Sequence, residues 1–147
     1  MKMMNNSVFI DTNVLVYAAI KTSPFHLNAQ QILDQHSSSG ANLWISRQVI
    51  REYMATLSRG QNFSNPVPAI QLAIDVQKFT QLFSIADDNN QVTKNLLSLT
   101  QNHSVIGKQI HDANIVATML ACNITNLITH DVSDFTRFSS LITIIPL

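Results

Sequence analysis

The chain has 147 residues, 46% of them hydrophobic and only 12% charged, with 9 Lys plus Arg balancing 9 Asp plus Glu. That length suits one domain, residues 1–147, with a core that needs no staples, and the zero net charge excludes a basic field over the whole molecule as the means of gripping nucleic acid. One cysteine, Cys122, excludes an internal disulfide and a multi-cysteine metal site.

The opening MKMMNNSVFI carries one Lys and then polar residues where a secretory signal would be apolar, and no run approaches the roughly 18 apolar residues of a spanning helix. A cytoplasmic protein with no membrane partner is expected. Ser7 to Ile10 is a short β-prone run ending at Asp11, and Val14 to Ile20 continues as a helix, so a strand-to-helix turn falls between them. Ser23 is expected to cap a second helix with Pro24 in its first turn; Leu27 and Ile32 carry it to Gln35, and Ser37-Ser38-Ser39-Gly40 ends it. Leu43 to Ile45 is a second strand, followed by Ser46 as N-cap of a helix holding Val49, Ile50, Tyr53, Met54 and Leu57. Gly60 to Pro68 is a loop, Ala69 to Val76 a short helix, and Phe79 to Ile85 a strand or extended link.

Asp87 is expected to cap a helix carrying Val92, Leu96, Leu97 and Leu99. From about Lys108, Ile110, Ala113, Ala117, Leu120 and Ala121 recur at helical spacing up to Cys122, a small buried hydrophobe on this reading, and Asn123 follows where a left-handed residue is tolerated. Asn126 to Thr129 is another strand, and Leu141 to Ile145 is a late β-branched run. Strands separated by helices predict an α/β/α sandwich with a mainly parallel sheet, whose sites form at the carboxyl ends of strands where strand order reverses.

Against so few charges, four acids stand beside apolar elements: Asp11, Glu52, Asp112 and Asp131. Each has an ordinary alternative. Asp11 suits an N-cap, Glu52 a solvated helix edge, Asp112 a helix dipole, and Asp131 or its neighbour Asp134 a turn. Their joint placement at element ends carries the chemistry instead. Carboxylates drawn together out of water repel one another unless a cation neutralises them, and hard divalent cations prefer oxygen ligands. Two such ions about 4 Å apart would activate a water and stabilise the leaving oxygen of a phosphodiester. The five His (26, 36, 103, 111 and 130) form no zinc-binding spacing, and neither a Gly-rich phosphate loop nor a serine-nucleophile elbow occurs. His111 and His130 adjoin two of the acids, by coincidence or as turn contacts on the simpler reading.

In this order the motifs resemble the PIN-domain family, and more narrowly the VapC-type toxins of type II toxin-antitoxin pairs. Phe9-Ile10-Asp11-Thr12-Asn13-Val14-Leu15 is similar to the family's opening motif. Ile45-Ser46 through Val49 and Glu52 are similar to its second block, Ile110 to Ala117 to its third, and Leu127 to Asp131 with Asp134-Phe135 to its last. The resemblance covers nearly the whole chain. It implies a Mg2+- or Mn2+-dependent endoribonuclease in which Asp11, Glu52, Asp112 and Asp131 hold one or two ions and a water activated there attacks an RNA phosphate in line. Thr12, Asn13 and Thr129 would orient the acids, and Asp134 competes with Asp131 as fourth acid. It also implies a cognate antitoxin and a homodimer. Asn123 stands where the family often has Gly, and Arg47, Arg51 and Arg59 are either a local basic strip or ordinary solvated residues. A solitary RNA-processing PIN nuclease and a catalytically silent binding module of the same fold are the alternatives.

Overall fold

The computed structural model describes residues 6–60 and 64–147. The start of the segment read as non-secretory and the tip of the loop expected at Gly60 to Pro68 lie outside the described residues. Five strands form one sheet: β1 (Ser7–Ile10), β2 (Asn42–Ser46), β3 (Ser84–Ala86), β4 (Asn126–Thr129) and β5 (Thr143–Pro146). Their order is β3-β2-β1-β4-β5 and every neighbouring pair is parallel. Six helices connect them among the described residues: α1 (Thr12–Ala19), α2 (His26–Ser38), α3 (Arg47–Arg59), α4 (Ala69–Leu82), α5 (Asn90–Asn102) and α6 (Gln109–Ala121). The α/β/α sandwich expected from the sequence is what the chain forms.

Parallel strands covered on both faces are apolar throughout, because both rows of side chains leave water. Phe9, Ile10, Leu127 and Ile128 of the central pair are each 0% exposed, and burying a side chain of that size stabilises the fold by roughly 1.5–3 kcal/mol. The pairing sets Phe9 beside Leu127 and Ile10 beside Ile128, so β1 and β4 end level with each other. The Asp11 N–H extends the ladder by donating to the Ile128 carbonyl at 3.0 Å. From β1 the chain goes to β2 on one side, and it returns through β4 on the other. The strand order therefore reverses at the β1–β4 seam, which opens a crevice at the strands' carboxyl ends. No described helix is long and apolar enough to cross a membrane.

Several local expectations are corrected. Ser23 does not cap α2: its hydroxyl accepts the Phe25 N–H at 3.1 Å and makes a turn, and the helix starts at His26 with Phe25 as N-cap. α4 runs on through Phe79 to Leu82, because Leu72, Val76 and Phe79 continue a helical stripe, which shortens β3 to Ser84–Ala86. α5 is capped by Asn89, whose side chain accepts the Val92 N–H at 3.2 Å, and Asp87 pairs with Arg47 instead. Cys122 is half-buried, not enclosed. Asn123 takes the left-handed conformation, φ 56°, so an L-residue occupies the turn that Gly would occupy more easily.

Candidate active site

β1 stops at Ile10 and α1 starts at Thr12, so Asp11 is the joint, with extended backbone at φ −72° and ψ 154°. One carboxylate oxygen accepts the Thr12 N–H at 2.8 Å and caps the helix. The other accepts the hydroxyl of Thr129, the last residue of β4, at 2.8 Å. The Asn13 amide reaches across the seam: its Nδ2 donates to Asp11 Oδ2 at 3.2 Å and to Asp131 Oδ2 at 3.1 Å, while its Oδ1 accepts the His130 N–H at 3.1 Å. Asp11 thus both caps the helix and lines the cleft at the seam. These are not alternatives, because its two oxygens serve separately.

Glu52 is held from two sides. Thr12 Oγ1 donates to its Oε2 at 3.2 Å and Gln48 Nε2 to its Oε1 at 2.7 Å. Gln48 is itself buried, donating to the His111 carbonyl at 2.8 Å and accepting from Asn114 Nδ2 at 2.8 Å, so it fastens α3 to α6. Sequence reasoning assigned no role to Gln48 or Asn114. The available signal was position: Gln48 lies four residues before Glu52, on the same helical face.

Asp11, Glu52, Asp112 and Asp131 line one cleft of about 220 Å³, together with Thr12, Asn13, Val16, Tyr17 and Thr56. Thr129 lies beneath it, fully buried. Burial drives the Asp11 pKa up to about 7; the bonds from Thr129 and Thr12 pull it down, and the charges of Glu52 and Asp112 push it further up. Asp112 is raised to about 6, first by burial and then by Asp134, Glu52 and Asp131, with a smaller opposing effect from Arg137. Asp134 therefore acts on Asp112 from outside the cleft, while Asp131 lines it. Among the described residues no Lys or Arg lines the cleft.

The family model described as PIN domain matches residues 8–140. The chain belongs to the PIN domain family. The fold of this PIN domain is shared with a VapBC2 structure from Rickettsia felis bound to a promoter DNA fragment, at 20% identity and TM-score 0.62, covering 96% of this chain and 98% of that one. It is likewise similar to VapBC-1 from nontypeable Haemophilus influenzae, at 20% identity and TM-score 0.66 over 95% and 97% of the two chains. A third similar structure is Mycobacterium tuberculosis VapC20, a sarcin-ricin loop cleaving toxin, at 14% identity and TM-score 0.66 over 92% and 96%. Among curated protein sequences nothing matches.

The PIN domain's cleft suits a hard divalent cation in its donor chemistry. The oxygen donors it offers are chiefly carboxylates, and two of its acids, Asp11 and Asp112, are held above their ordinary range by burial and by neighbouring acids. A cation there would relieve both effects. Among the described residues no three His, Cys, Asp or Glu side chains converge tightly enough to enclose an ion alone.

The three arginines of α3 separate into two kinds. Arg47 pairs with Asp87 at 3.1 Å and Arg51 with Asp88 at 4.0 Å, both in the open. Arg59 instead lines an adjoining groove of about 300 Å³ with Glu52, Ala55, Thr56 and His111. The two hollows share Glu52 and Thr56, so they are continuous.

Proposed function

We propose that this PIN domain, residues 1–147 acting as one unit, is a metal-dependent endoribonuclease and the toxin of a toxin-antitoxin pair. The observation that carries the reading is the cleft at the β1–β4 seam, where Asp11, Glu52, Asp112 and Asp131 meet with no Lys or Arg among the lining residues. Family membership supports nuclease chemistry, and the VapBC structures of the same fold support a toxin with a protein partner. A bound Mg2+ or Mn2+ would neutralise the carboxylates and the substrate phosphate and lower the pKa of a water.

The chain's own residues prepare that site. Asp11, Glu52, Asp112 and Asp131 are the ligands. Thr129 and Asn13 donate to Asp11 and favour its ionised, ligating form against the effect of burial. Thr12 and Gln48 fix the two oxygens of Glu52, as outer hydrogen bonds orient metal ligands generally. Arg59, on the continuous groove, is placed to meet a neighbouring phosphate of the strand.

The test is direct. Purified protein cuts RNA with magnesium or manganese and stops with a chelator, and Asp11→Asn or Asp112→Asn abolishes cutting while the protein stays folded. Full cutting by both variants would remove these acids from the chemistry, while their unfolding, or a wild type that cuts no better than they do, would make the acids structural and favour the silent binding module.

The toxin part has its own test. Expression alone should arrest growth, and co-expression of a small DNA-binding protein encoded beside the gene should restore it; unaffected growth would favour the solitary nuclease. A homodimer is the oligomeric state we propose, and sedimentation that returns a monomer would exclude it.

A further inference from the structure

The cleft contains one side chain that holding a cation does not require. Tyr17, on α1, is the only aromatic ring among its lining residues, set among four carboxylates. Two further rings support it from distant segments. His130, one residue before Asp131, meets Tyr17 edge-on with centroids 5.3 Å apart at 88°, and Phe25, the N-cap of α2, lies 4.9 Å away at 49°. Phe25 and His130 touch each other at 4.3 Å, so the three rings contact pairwise.

Backbone bonds hold the group in place. The His130 N–H donates to Asn13 Oδ1 at 3.1 Å, and His26 Nδ1 hydrogen-bonds the Tyr17 carbonyl at 3.0 Å. All three rings are half-buried, so the cluster opens to solvent at the rim of the cleft and is not a closed piece of core. Burial first, and then the Asp131 charge, raise the Tyr17 phenol, which keeps it neutral.

A nucleic-acid strand entering this cleft meets acids, and the chain has no net positive charge with which to attract it. Arg47 and Arg51 are engaged with Asp87 and Asp88. Arg59 in the adjoining groove and a cation in the cleft would meet phosphates, so contact with the bases falls to the apolar lining, and Val16 and Tyr17 are the only apolar side chains among the described lining residues. Bases pulled out of a stack bind on the faces of Tyr, Phe and His, and such stacking is sequence-tolerant.

We infer that Tyr17, backed by Phe25 and His130, is the surface on which a base flanking the scissile phosphate stacks. This rests on the ribonuclease reading above. Tyr17 contacts substrate, and Phe25 and His130 are positioning residues that hold its ring.

The experiment uses the intact protein and a short single-stranded RNA carrying 2-aminopurine, whose fluorescence is quenched on stacking, alongside steady-state cleavage in magnesium. Quenching is expected with the wild type and with Tyr17→Phe, which keeps the ring. Tyr17→Leu should lose it and raise KM about 10-fold, the order expected for one stacked base, with kcat changed far less. His130→Ala, which keeps the backbone N–H, should weaken both signals by a smaller factor. Unchanged quenching and KM in Tyr17→Leu or in His130→Ala, with wild-type RNA cleavage intact, would overturn the stacking surface and leave the nuclease standing. A wild type that neither binds nor cuts RNA in magnesium would overturn both. Should Tyr17→Leu melt below the assay temperature, the contrast between Tyr17→Phe and His130→Ala decides.

Discussion

Asp87 and Asp88 on the rim and the acids of the cleft are the same chemical groups treated in opposite ways. On the rim, Asp87 meets Arg47 at 3.1 Å with both side chains more than half exposed, and Asp88 meets Arg51 at 4.0 Å. Water already solvates those charges, so the pairs contribute little, about 0–1 kcal/mol. In the cleft, where Asp11 is 7% exposed and ionisation is costly, no basic side chain is among the lining residues. A fold arranged for stability alone would place its cations where the acids are hardest to ionise. Here Arg47 and Arg51 stand where they matter least, Arg137 exerts only the smallest effect on Asp112, and the cleft's negative charge stays available to a ligand.

Four experiments would break or sharpen that contrast. The largest effect is expected from Asp11→Asn, which keeps the helix cap, since Asn caps as well as Asp, but removes a ligand. Loss of several kcal/mol of transition-state stabilisation corresponds to about a thousandfold or more in kcat/KM, measured on any RNA the wild type cuts.

Next in size is the pH response of the ion-free protein. The folded-state pKa of Asp11, about 7, lies above its unfolded value near 3.8, so the native state binds more protons between them. Stability therefore falls as pH rises through that window and levels off above about 7, by roughly 2–4 kcal/mol. Denaturant unfolding in chelator across the range measures it. Asp11→Asn should make the curve shallower, leaving the part that Asp112, raised to about 6, contributes, and added manganese should raise the melting temperature more at neutral than at acid pH. A flat curve for the wild type would remove the contrast between cleft and rim.

Gln48→Ala comes third. It frees one oxygen of Glu52 and should lower activity or manganese affinity by about 10–100-fold, the range for losing an outer hydrogen bond to a metal ligand. Smallest is Asp87→Asn on the rim, expected to move stability by less than about 0.5 kcal/mol and to leave cleavage unchanged. A rim effect as large as the cleft's would show that the two regions do not differ as argued.

The strands were legible because both faces of this sheet are covered. Ser7–Ile10 and Asn126–Thr129 read as continuous apolar runs with the bounds the structure gives them. Helix starts were harder, since Ser, Asp and Asn serve caps and turns alike: Ser23 makes a turn, and Asn89 caps where Asp87 was expected. The acids brought to the cleft were legible through their order and their positions at element ends. Their supports were not. Gln48 finds His111 and Asn114 across 63 and 66 residues of chain, and a polar residue on a helix looks solvated until such a partner is known. Tyr17 was hidden differently, because an aromatic on an apolar helix is ordinarily core.

The hydrogen bond from Thr129 to Asp11 joins residues 118 apart, one made well before the other. Every shorter nascent chain lacks β4, and with it the hydroxyl that orders Asp11 and the carboxylate of Asp131. The cleft is therefore completed late, once β4 has met β1 along the seam, with β5 the one strand of the sheet still to be added. A chain cut anywhere before residue 126 would keep Asp11 but lose Thr129 and Asp131, and the cleft would be left half built.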